Sequence, residues 1–298
     1  MPRLGVEVLA VFGPTATGKT AVAQRLADEL ATEVVSADAL QVYRGLTILT
    51  NQPSRPMRLV GIRDLSETMS VGEYARLAHD EIDTLVARTG GAVVAGGTGL
   101  YLRAALSDLA VPPAVPSGER ERLEAAYDRD PGVAFTHLRA RDPAAAATVH
   151  PNDRRRVVRA LELAELGASL VPPEDRLWSA ETRRPALVAG LDLPNEVLAE
   201  RIERRTREMF ERGVVEEARA ALAAGPLSRT AAKALGLQEV VELPTDEARV
   251  AIVRRTLRYA AYQRKWMRRI PGIVMIDANR PPAEVGDAIL EVIESRSR

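Results

Sequence analysis

The segment GPTATGKT, residues 13–20, has the residue types and the spacing that hold a chain of phosphates. Its two glycines let backbone N–H groups turn inward, and the helix that follows adds its positive N-terminal end. Lys19 supplies a mobile positive charge, and the hydroxyl of Thr20 is a ligand for Mg²⁺ in this pattern. The sequence therefore predicts a phosphate-binding loop. The loop consists of Gly13, Pro14, Thr15, Ala16, Thr17, Gly18, Lys19 and Thr20.

Asp38 follows the apolar pair Val34 and Val35 and is predicted to be the only acid at the carboxyl end of a strand. Parallel sheets bind their ligands at that edge. Three roles fit such a residue: a metal ligand, a proton acceptor for an incoming nucleophile, or a helix N-cap. A nucleotide-hydrolysing enzyme would be expected to carry a second acidic magnesium ligand on a neighbouring strand, whereas the segment AVVAGG, residues 92–97, ends in glycines.

Apolar runs that alternate with amphipathic segments predict the scaffold that holds these residues. Strands are predicted at residues 8–12, 33–38, 91–97, 186–193 and 272–278. Helices are predicted at residues 19–30, 71–88 and 197–212, the last with Asn195 as its N-cap. Buried strands separated by helices indicate an α/β fold, a phosphate-loop NTPase-like parallel sheet flanked by helices.

The alternation stops between Leu109 and Pro185, where Ala-rich and Arg-rich helical sequence lies between two proline-bearing connectors. Proline cannot continue a helix, so these connectors mark boundaries. The sequence therefore predicts an all-helical subdomain at residues 115–184. This insertion divides the α/β core into residues 1–114 and 185–298.

Composition limits the possible partners. The 298 residues carry a formal net charge of zero, so nucleic acid could bind only at a local basic patch. Residues 250–271 form one such patch, with seven arginines and lysines and no acid. The chain has no cysteine, no signal-peptide pattern and no apolar stretch near the ~18 residues of a membrane span. We therefore expect a cytoplasmic enzyme that does not contact the membrane.

Five blocks of the sequence, in order, resemble the tRNA dimethylallyltransferases, also called tRNA isopentenyltransferases. These blocks are GPTATGKT, SADALQVYRGL, GGTGLYLRAAL, HPNDRRRVVRALELAE and RIERRTREMFERGVVEEA. The resemblance implies transfer of a dimethylallyl group from dimethylallyl diphosphate to N6 of the adenosine on the 3′ side of a tRNA anticodon. On this interpretation the phosphate loop grips a leaving diphosphate, with Mg²⁺ as the cofactor, and has no need to hydrolyse ATP. The family also implies a monomer.

The resemblance further implies roles for individual residues. Asp38 is the base that accepts a proton from N6, and Thr98 lies near the reacting oxygen and N6. Arg205 reaches the diphosphate, although sequence alone would place it on a solvated helix face. The residues implied to contact tRNA are Asp38, Ala39, Leu40, Gln41, Thr98, Arg120, Arg155, Arg156 and Arg159.

The helix around residues 254–269 is a second candidate for contact with tRNA. On a helical wheel its basic residues occupy one half and its apolar residues the other, which suits a helix packed on the core and exposed to RNA phosphates. A plain solvated face is the alternative. Trp266 is expected to pack in the core.

The chain departs from the family pattern in three places. Near the C-terminus, Leu257, Ala261 and Tyr262 stand where the family favours basic residues. PMRLVGI, residues 56–62, stands where the family usually has Pro-His-His-Leu, and LTNQP, residues 49–53, replaces a lysine-bearing stretch. These departures concern the grip on tRNA more than the chemistry. The alternatives to the tRNA enzyme are a prenyltransferase acting on free adenine nucleotides, a small-molecule kinase using ATP, and an RNA-binding protein without activity; the five blocks favour the tRNA enzyme over all three.

Overall fold

Five apolar segments form one parallel sheet in the computed structural model, which describes residues 5–109, 118–171 and 176–296. The strands are β1 (Val8–Phe12), β2 (Val34–Ser36), β3 (Ala92–Gly96), β4 (Ala186–Asp192) and β5 (Val274–Asp277). Their order across the sheet is β2-β3-β1-β4-β5, and every pairing is parallel. Each predicted strand is confirmed, and so is the α/β fold class.

Helices surround this sheet and form the insertion. They are α1 (Lys19–Glu29), α2 (Val71–Thr89), α3 (Gly99–Leu106), α4 (Glu119–Arg129), α5 (Pro131–Arg141), α6 (Pro143–Thr148), α7 (Arg154–Glu165), α8 (Asn195–Glu211), α9 (Val214–Ala223), α10 (Leu237–Glu242), α11 (Thr245–Met267) and α12 (Pro282–Arg296). Among the described residues, every helix is too short or too polar to traverse a lipid bilayer.

The centre of the sheet is apolar on both faces because helices cover both faces. All five residues of β1 are buried, and Val8 pairs with Ala92 of β3 and Ala186 of β4. Leu9 and Val11 share one core cluster with Leu26 of α1. Full burial of such a side chain contributes about 1.5–3 kcal/mol each. This rigid centre fixes the loops that leave the carboxyl ends of β1, β2 and β3.

The chain divides into two compact units. The first comprises Met1–Asp108 with Leu177–Arg298, and the second is Leu109–Arg176. Residue 115, where the sequence predicted the insertion to begin, lies outside the described residues. The helical unit ends at Arg176, short of the predicted boundary at 184.

The segment after Arg176 belongs to the first unit because buried side chains hold it there. Arg103 of α3 is 2% exposed and donates to the carbonyl oxygens of Leu177 and Ser179 at 2.8 Å each. The ring of Trp178 packs against Trp266 of α11, with centroids 4.8 Å apart. Trp266 therefore packs against another side chain, but it is half-buried and lies outside the buried core where it was predicted to pack.

The second unit has its own core and one buried acid. Leu123, Leu138, Val157 and Leu161 are among the buried residues that α4 to α7 contribute. Glu162 is only 1% exposed in its side chain. It accepts hydrogen bonds from Arg120 at 3.1 Å and from Arg159 at 3.0 Å. The buried charge is therefore paired, as burial requires.

One helix start differs from prediction. Asn195 was expected to cap α8 from outside, but α8 begins at Asn195 itself, with Pro194 preceding it. The Asn195 side chain instead accepts a hydrogen bond from Arg264 of α11. The prediction was wrong because a long-range partner took the capping oxygen.

Candidate active site

Three loops that follow neighbouring strands form the candidate site: residues 13–20 after β1, residues 37–41 after β2, and residues 97–98 after β3. In the first loop, Gly18 has a φ of 90°, a backbone conformation that residues with a side chain rarely adopt. The Thr17 hydroxyl donates to the Pro14 carbonyl at 2.8 Å, and Lys19 Nζ donates to the same oxygen at 2.6 Å. These two bonds close the loop around the start of α1.

Lys19 is half-buried, and the desolvation of its ammonium group changes its acid–base behaviour. Desolvation by burial lowers its pKa from 10.5 to about 7, the Asp38 carboxylate opposes that shift, and the positive charge of Arg205 adds to it. The Lys19 ammonium therefore gives up its proton far more readily than an ordinary lysine. A bound polyphosphate would stabilise the charged ammonium form.

We expect diphosphate binding to take up a proton on Lys19 at pH 8. Because the free protein carries a largely neutral Lys19 above pH 7, affinity should weaken as pH rises through 7, by up to about tenfold per pH unit. Calorimetric titration with inorganic diphosphate, in two buffers of different ionisation enthalpy, measures the uptake.

The matched control for this prediction is Lys19→Met. Protons that belong to the ligand are common to both proteins, so the difference between them isolates the lysine. Equal proton uptake by wild type and Lys19→Met would contradict the prediction.

Arg205 on α8 points into the site, although its sequence neighbours indicate a solvated helix face. Its Nη1 donates to the Thr15 hydroxyl at 2.7 Å. Burial lowers its pKa from the usual value. Its Nε is buried and has no hydrogen-bond partner among the described residues. A guanidinium with a buried and unused Nε donor suits an anionic ligand.

Asp38 lies two residues after the end of β2, and one of its carboxylate oxygens shapes a turn. Its Oδ1 accepts from the backbone N–H groups of Leu40 at 2.9 Å and Gln41 at 3.3 Å. No helix starts at this point among the described residues, so Asp38 is not a helix N-cap. Its carboxylate stabilises a tight turn instead. The described residues leave Oδ2 without a hydrogen bond, and that oxygen is free to accept a proton.

The rest of the second loop is anchored away from Asp38. The amide group of Gln41 donates to the carbonyl oxygens of Thr50 at 3.3 Å and Asn51 at 3.1 Å. Both acceptors lie in the segment 49–53, which departs from the family pattern. This segment therefore supports the turn that carries Asp38.

Thr98 lies beside this turn at the start of α3. Its Oγ1 accepts a hydrogen bond from the backbone N–H of Ala39 at 3.2 Å. The hydroxyl of Tyr259, on α11, is within hydrogen-bonding reach of Thr98 as well, and burial raises the pKa of that hydroxyl. Thr98 thus joins the loops after β2 and β3.

One cavity is lined by Asp38 and Arg205 together with other polar and apolar side chains. Thr15, Asp38, Arg205 and Tyr259 line its polar part. Its apolar lining consists of Leu40, Leu49, Met209, Leu235 and Ile252. The cavity therefore suits a small molecule with an anionic end and a short apolar end.

Thr20 is the loop residue with metal-ligand chemistry. Its hydroxyl makes no hydrogen bond within the described part of the chain, so its oxygen is available. No cluster of three or more metal-binding side chains occurs among the described residues. Mg²⁺ commonly binds through one or two protein ligands plus phosphate oxygens and water, so Thr20 fits such an ion when a diphosphate is present.

Asp38 is not the only acid at a carboxyl strand end, which corrects the sequence prediction. Asp192 ends β4 and Asp277 ends β5. Asp192 accepts from Arg264 Nε at 2.8 Å and from the backbone N–H of Leu193 at 2.9 Å. That acid is held in a structural ion pair. Asp38 is the strand-end acid that lines the cavity.

Several basic residues of α11, and Arg269 just after its end, are held by contacts within the protein. Arg255 pairs with Glu239, Arg264 pairs with Asp192, and the Arg269 guanidinium lies 3.6 Å from the centre of the Trp178 ring. These three stabilise the fold. Arg254, Arg258 and Lys265 are exposed and form no ion pair with the described residues. The predicted basic face is therefore smaller than the sequence suggests.

The arginines predicted to bind tRNA also differ in their surroundings. Arg155 and Arg156 of α7 are exposed, and Arg156 lies 3.9 Å from Asp153. Arg120 and Arg159 bind the buried Glu162 and so take part in the core of the helical unit. Arg155 and Arg156 are the more accessible pair.

Tyr259 and Gln263 reach the site from α11 and were missed by sequence reasoning. The buried stripe of this helix comprises Ala248, Ile252, Thr256, Ala260, Gln263 and Met267. The sequence did hold one sign of Gln263's role: it is a glutamine among small and apolar residues. A buried polar side chain needs hydrogen-bond partners, so such a residue points to a contact with another part of the chain.

Comparison with known proteins agrees with this geometry. A family model described as IPP transferase matches residues 41–270, and one described as isopentenyl transferase matches residues 6–64. The chain belongs to the IPP transferase family. A tRNA dimethylallyltransferase of Streptomyces griseus is 39% identical, covering 98% of this chain and 97% of its own. The tRNA dimethylallyltransferase of Streptomyces coelicolor is 40% identical, and the match covers 89% of this chain and 88% of that protein.

A solved structure supports the same family membership. The tRNA isopentenylpyrophosphate transferase of Bacillus halodurans is 31% identical and superposes with a TM-score of 0.68. The match covers 98% of this chain and 98% of that chain. The IPP transferase family thus accounts for nearly the whole length.

Proposed function

We propose that this protein transfers the dimethylallyl group of dimethylallyl diphosphate to N6 of the adenosine on the 3′ side of the anticodon in tRNA. The products are N6-dimethylallyladenosine in tRNA and diphosphate. The enzyme acts as a cytoplasmic monomer. Relatives named tRNA dimethylallyltransferase over nearly their full length support this function above transfer to free nucleotides and above a kinase.

The proposal rests on one observation: positive groups, a carboxylate and apolar side chains lie together at one site. Lys19 and Arg205 provide positive charge at the phosphate loop, and Asp38 lies close enough to influence the pKa of both. Apolar side chains such as Leu49 and Ile252 line the same space. An allylic diphosphate needs this combination: charge for the leaving group, apolar contact for its five carbons, and a base for the acceptor.

The chemical step follows from these groups. The bond between the allylic C1 and the diphosphate oxygen breaks, and a bond between C1 and N6 forms. Charge that develops on the diphosphate is stabilised by Lys19, Arg205 and the backbone N–H groups of the loop, an electrostatic effect that is usually the largest in catalysis. The proton lost from N6 passes to the free Oδ2 of Asp38. We assign Thr98, which accepts a hydrogen bond from the backbone N–H of Ala39, to a position beside N6 of the acceptor.

Magnesium would be held by Thr20 together with oxygens of the diphosphate. When bound, it would neutralise charge on the leaving group. The protein groups Lys19 and Arg205 act on the same oxygens.

Contact with tRNA is assigned to Arg155 and Arg156 on the helical unit and to the loop residues Asp38 to Gln41. An adenosine stacked in an anticodon loop cannot reach a buried diphosphate, so the base must be extruded into the cavity. The exposed arginines bind backbone phosphates, which give affinity without reading sequence.

Charge reversal at both Arg155 and Arg156 should weaken tRNA binding and flatten its salt dependence. Loss of two phosphate contacts reduces the slope of log K against log salt by about 1.4–1.8. Titration of tRNA at several salt concentrations measures the slope. Arg129→Glu, an exposed site at the end of α4, is the control. An unchanged slope in the double variant would place the phosphate contacts elsewhere.

Mass spectrometry of nucleosides tests the proposed function. Unmodified tRNA is incubated with the enzyme, Mg²⁺ and dimethylallyl diphosphate, beside parallel reactions with AMP and ADP as acceptors. We expect prenylated adenosine in tRNA alone. Product only on AMP or ADP would replace this function with free-nucleotide prenyl transfer.

A further inference from the structure

Gln263 is a buried polar residue in the middle of α11, and only 2% of it is exposed. A buried amide destabilises a protein unless both its donor and its acceptor find partners. Both ends of this amide are satisfied, and both partners belong to loops of the candidate site.

The two hydrogen bonds of Gln263 fix its orientation. Its Oε1 accepts from the backbone N–H of Thr15 at 2.7 Å, and its Nε2 donates to the carbonyl oxygen of Gly97 at 2.8 Å. A backbone N–H can only donate and a carbonyl can only accept, so the amide cannot be reversed. Gly97 has no side chain, and a Cβ there would collide with Nε2.

These bonds connect the two sides of the reaction. Thr15 lies in the loop for the leaving diphosphate, and Gly97 precedes Thr98, which is bonded to the residue after Asp38. Tyr259 lies one turn earlier on α11, and its hydroxyl is within reach of both Thr98 and Gln263. One side chain thereby sets the separation between the loop that holds the donor and the loop that holds the acceptor.

We propose that Gln263 is a positioning residue for prenyl transfer, which aligns the allylic carbon with N6 by bracing the phosphate loop against the loop of Thr98. The inference rests on the proposed function, because it concerns the geometry of that reaction. Misplacement of reacting groups by about 1 Å can cost about 10²-fold in rate, so such a brace affects turnover directly.

Two variants separate alignment from simple stability. Gln263→Met keeps the side-chain length and removes both hydrogen bonds. Gln263→Glu can make both hydrogen bonds only when its carboxyl is protonated. An ionised carboxylate has no hydrogen to donate, so its second oxygen would lie against the oxygen of the Gly97 carbonyl. Burial favours the neutral acid, so the pKa of this carboxyl is raised into an accessible range.

Steady-state kinetics with tRNA and dimethylallyl diphosphate at about pH 6 and about pH 8.5, together with thermal midpoints, test the proposal. We expect Gln263→Met to lose about 10- to 100-fold in kcat at both pH values, with an unchanged KM for tRNA. The ratio of kcat for Gln263→Glu to kcat for wild type should be at least about fivefold higher at about pH 6 than at about pH 8.5. The ratio for Gln263→Met should stay constant.

Wild-type kcat in folded Gln263→Met, or a pH-independent ratio for Gln263→Glu, would overturn the positioning role. If Gln263→Glu does not fold, the kcat and KM of Gln263→Met alone test the positioning role. A wild-type enzyme without activity on tRNA would instead overturn the proposed function itself.

Discussion

Replacement of Asp38 by Asn should lower turnover by about 10²–10⁴-fold, as expected for loss of a general base. Asn keeps an oxygen that can accept from Leu40 and Gln41, so the turn is preserved while the proton acceptor is lost. Affinity for tRNA depends mainly on contacts with backbone phosphates elsewhere, so it should stay close to that of wild type although Asp38 touches the base. Single-turnover rates and tRNA titrations measure the two effects separately.

Asp246→Asn is the matched control for Asp38→Asn. Asp246 lies at the start of α11 with its side chain 96% exposed. It should keep wild-type turnover. Turnover of Asp38→Asn close to that of the control would remove Asp38 from the mechanism, whereas a large loss of tRNA affinity would mean that its carboxylate serves tRNA binding and not proton transfer.

Replacement of Arg205 by Gln should reduce kcat/KM for dimethylallyl diphosphate by about 10²–10³-fold, the usual cost of losing one donor that stabilises developing charge. The variant removes the buried positive charge beside Thr15 while keeping a polar side chain. Kinetics at saturating tRNA with varied dimethylallyl diphosphate measure the loss.

Arg204→Gln provides a control at the neighbouring position. The Arg204 side chain is 65% exposed and lies 3.7 Å from Glu208. Its replacement should leave kcat/KM within about twofold of wild type, because exposed ion pairs contribute little. Equal effects at Arg204 and Arg205 would mean that Arg205 acts through general charge and not through contact with the leaving group.

Much of the fold could be predicted because its signals are local. The strands were recognisable as short apolar runs, and the phosphate loop as a fixed pattern of Gly, Lys and Thr. Because the strands of a parallel sheet run in the same direction, their carboxyl ends meet at one edge of the sheet. Asp38 and the loop at Gly13 were placed at one edge by this rule alone.

Other features depend on contacts distant in sequence and could not be predicted locally. Arg205 has arginine neighbours on either side along α8, and only the packing of α8 shows which one faces the cavity. Arg264 was predicted to lie on a basic surface, but it pairs with Asp192 at the end of β4. Gln263 gave a weak signal, since its partners Thr15 and Gly97 lie far away along the chain.

The central claim is that the phosphate loop holds the diphosphate of the prenyl donor as a leaving group. The direct measurement is the amount of diphosphate released per prenyl group transferred to tRNA, in reactions without ATP. The account predicts one diphosphate for each N6-dimethylallyladenosine, with no requirement for ATP. A reaction that requires ATP and releases ADP would contradict it.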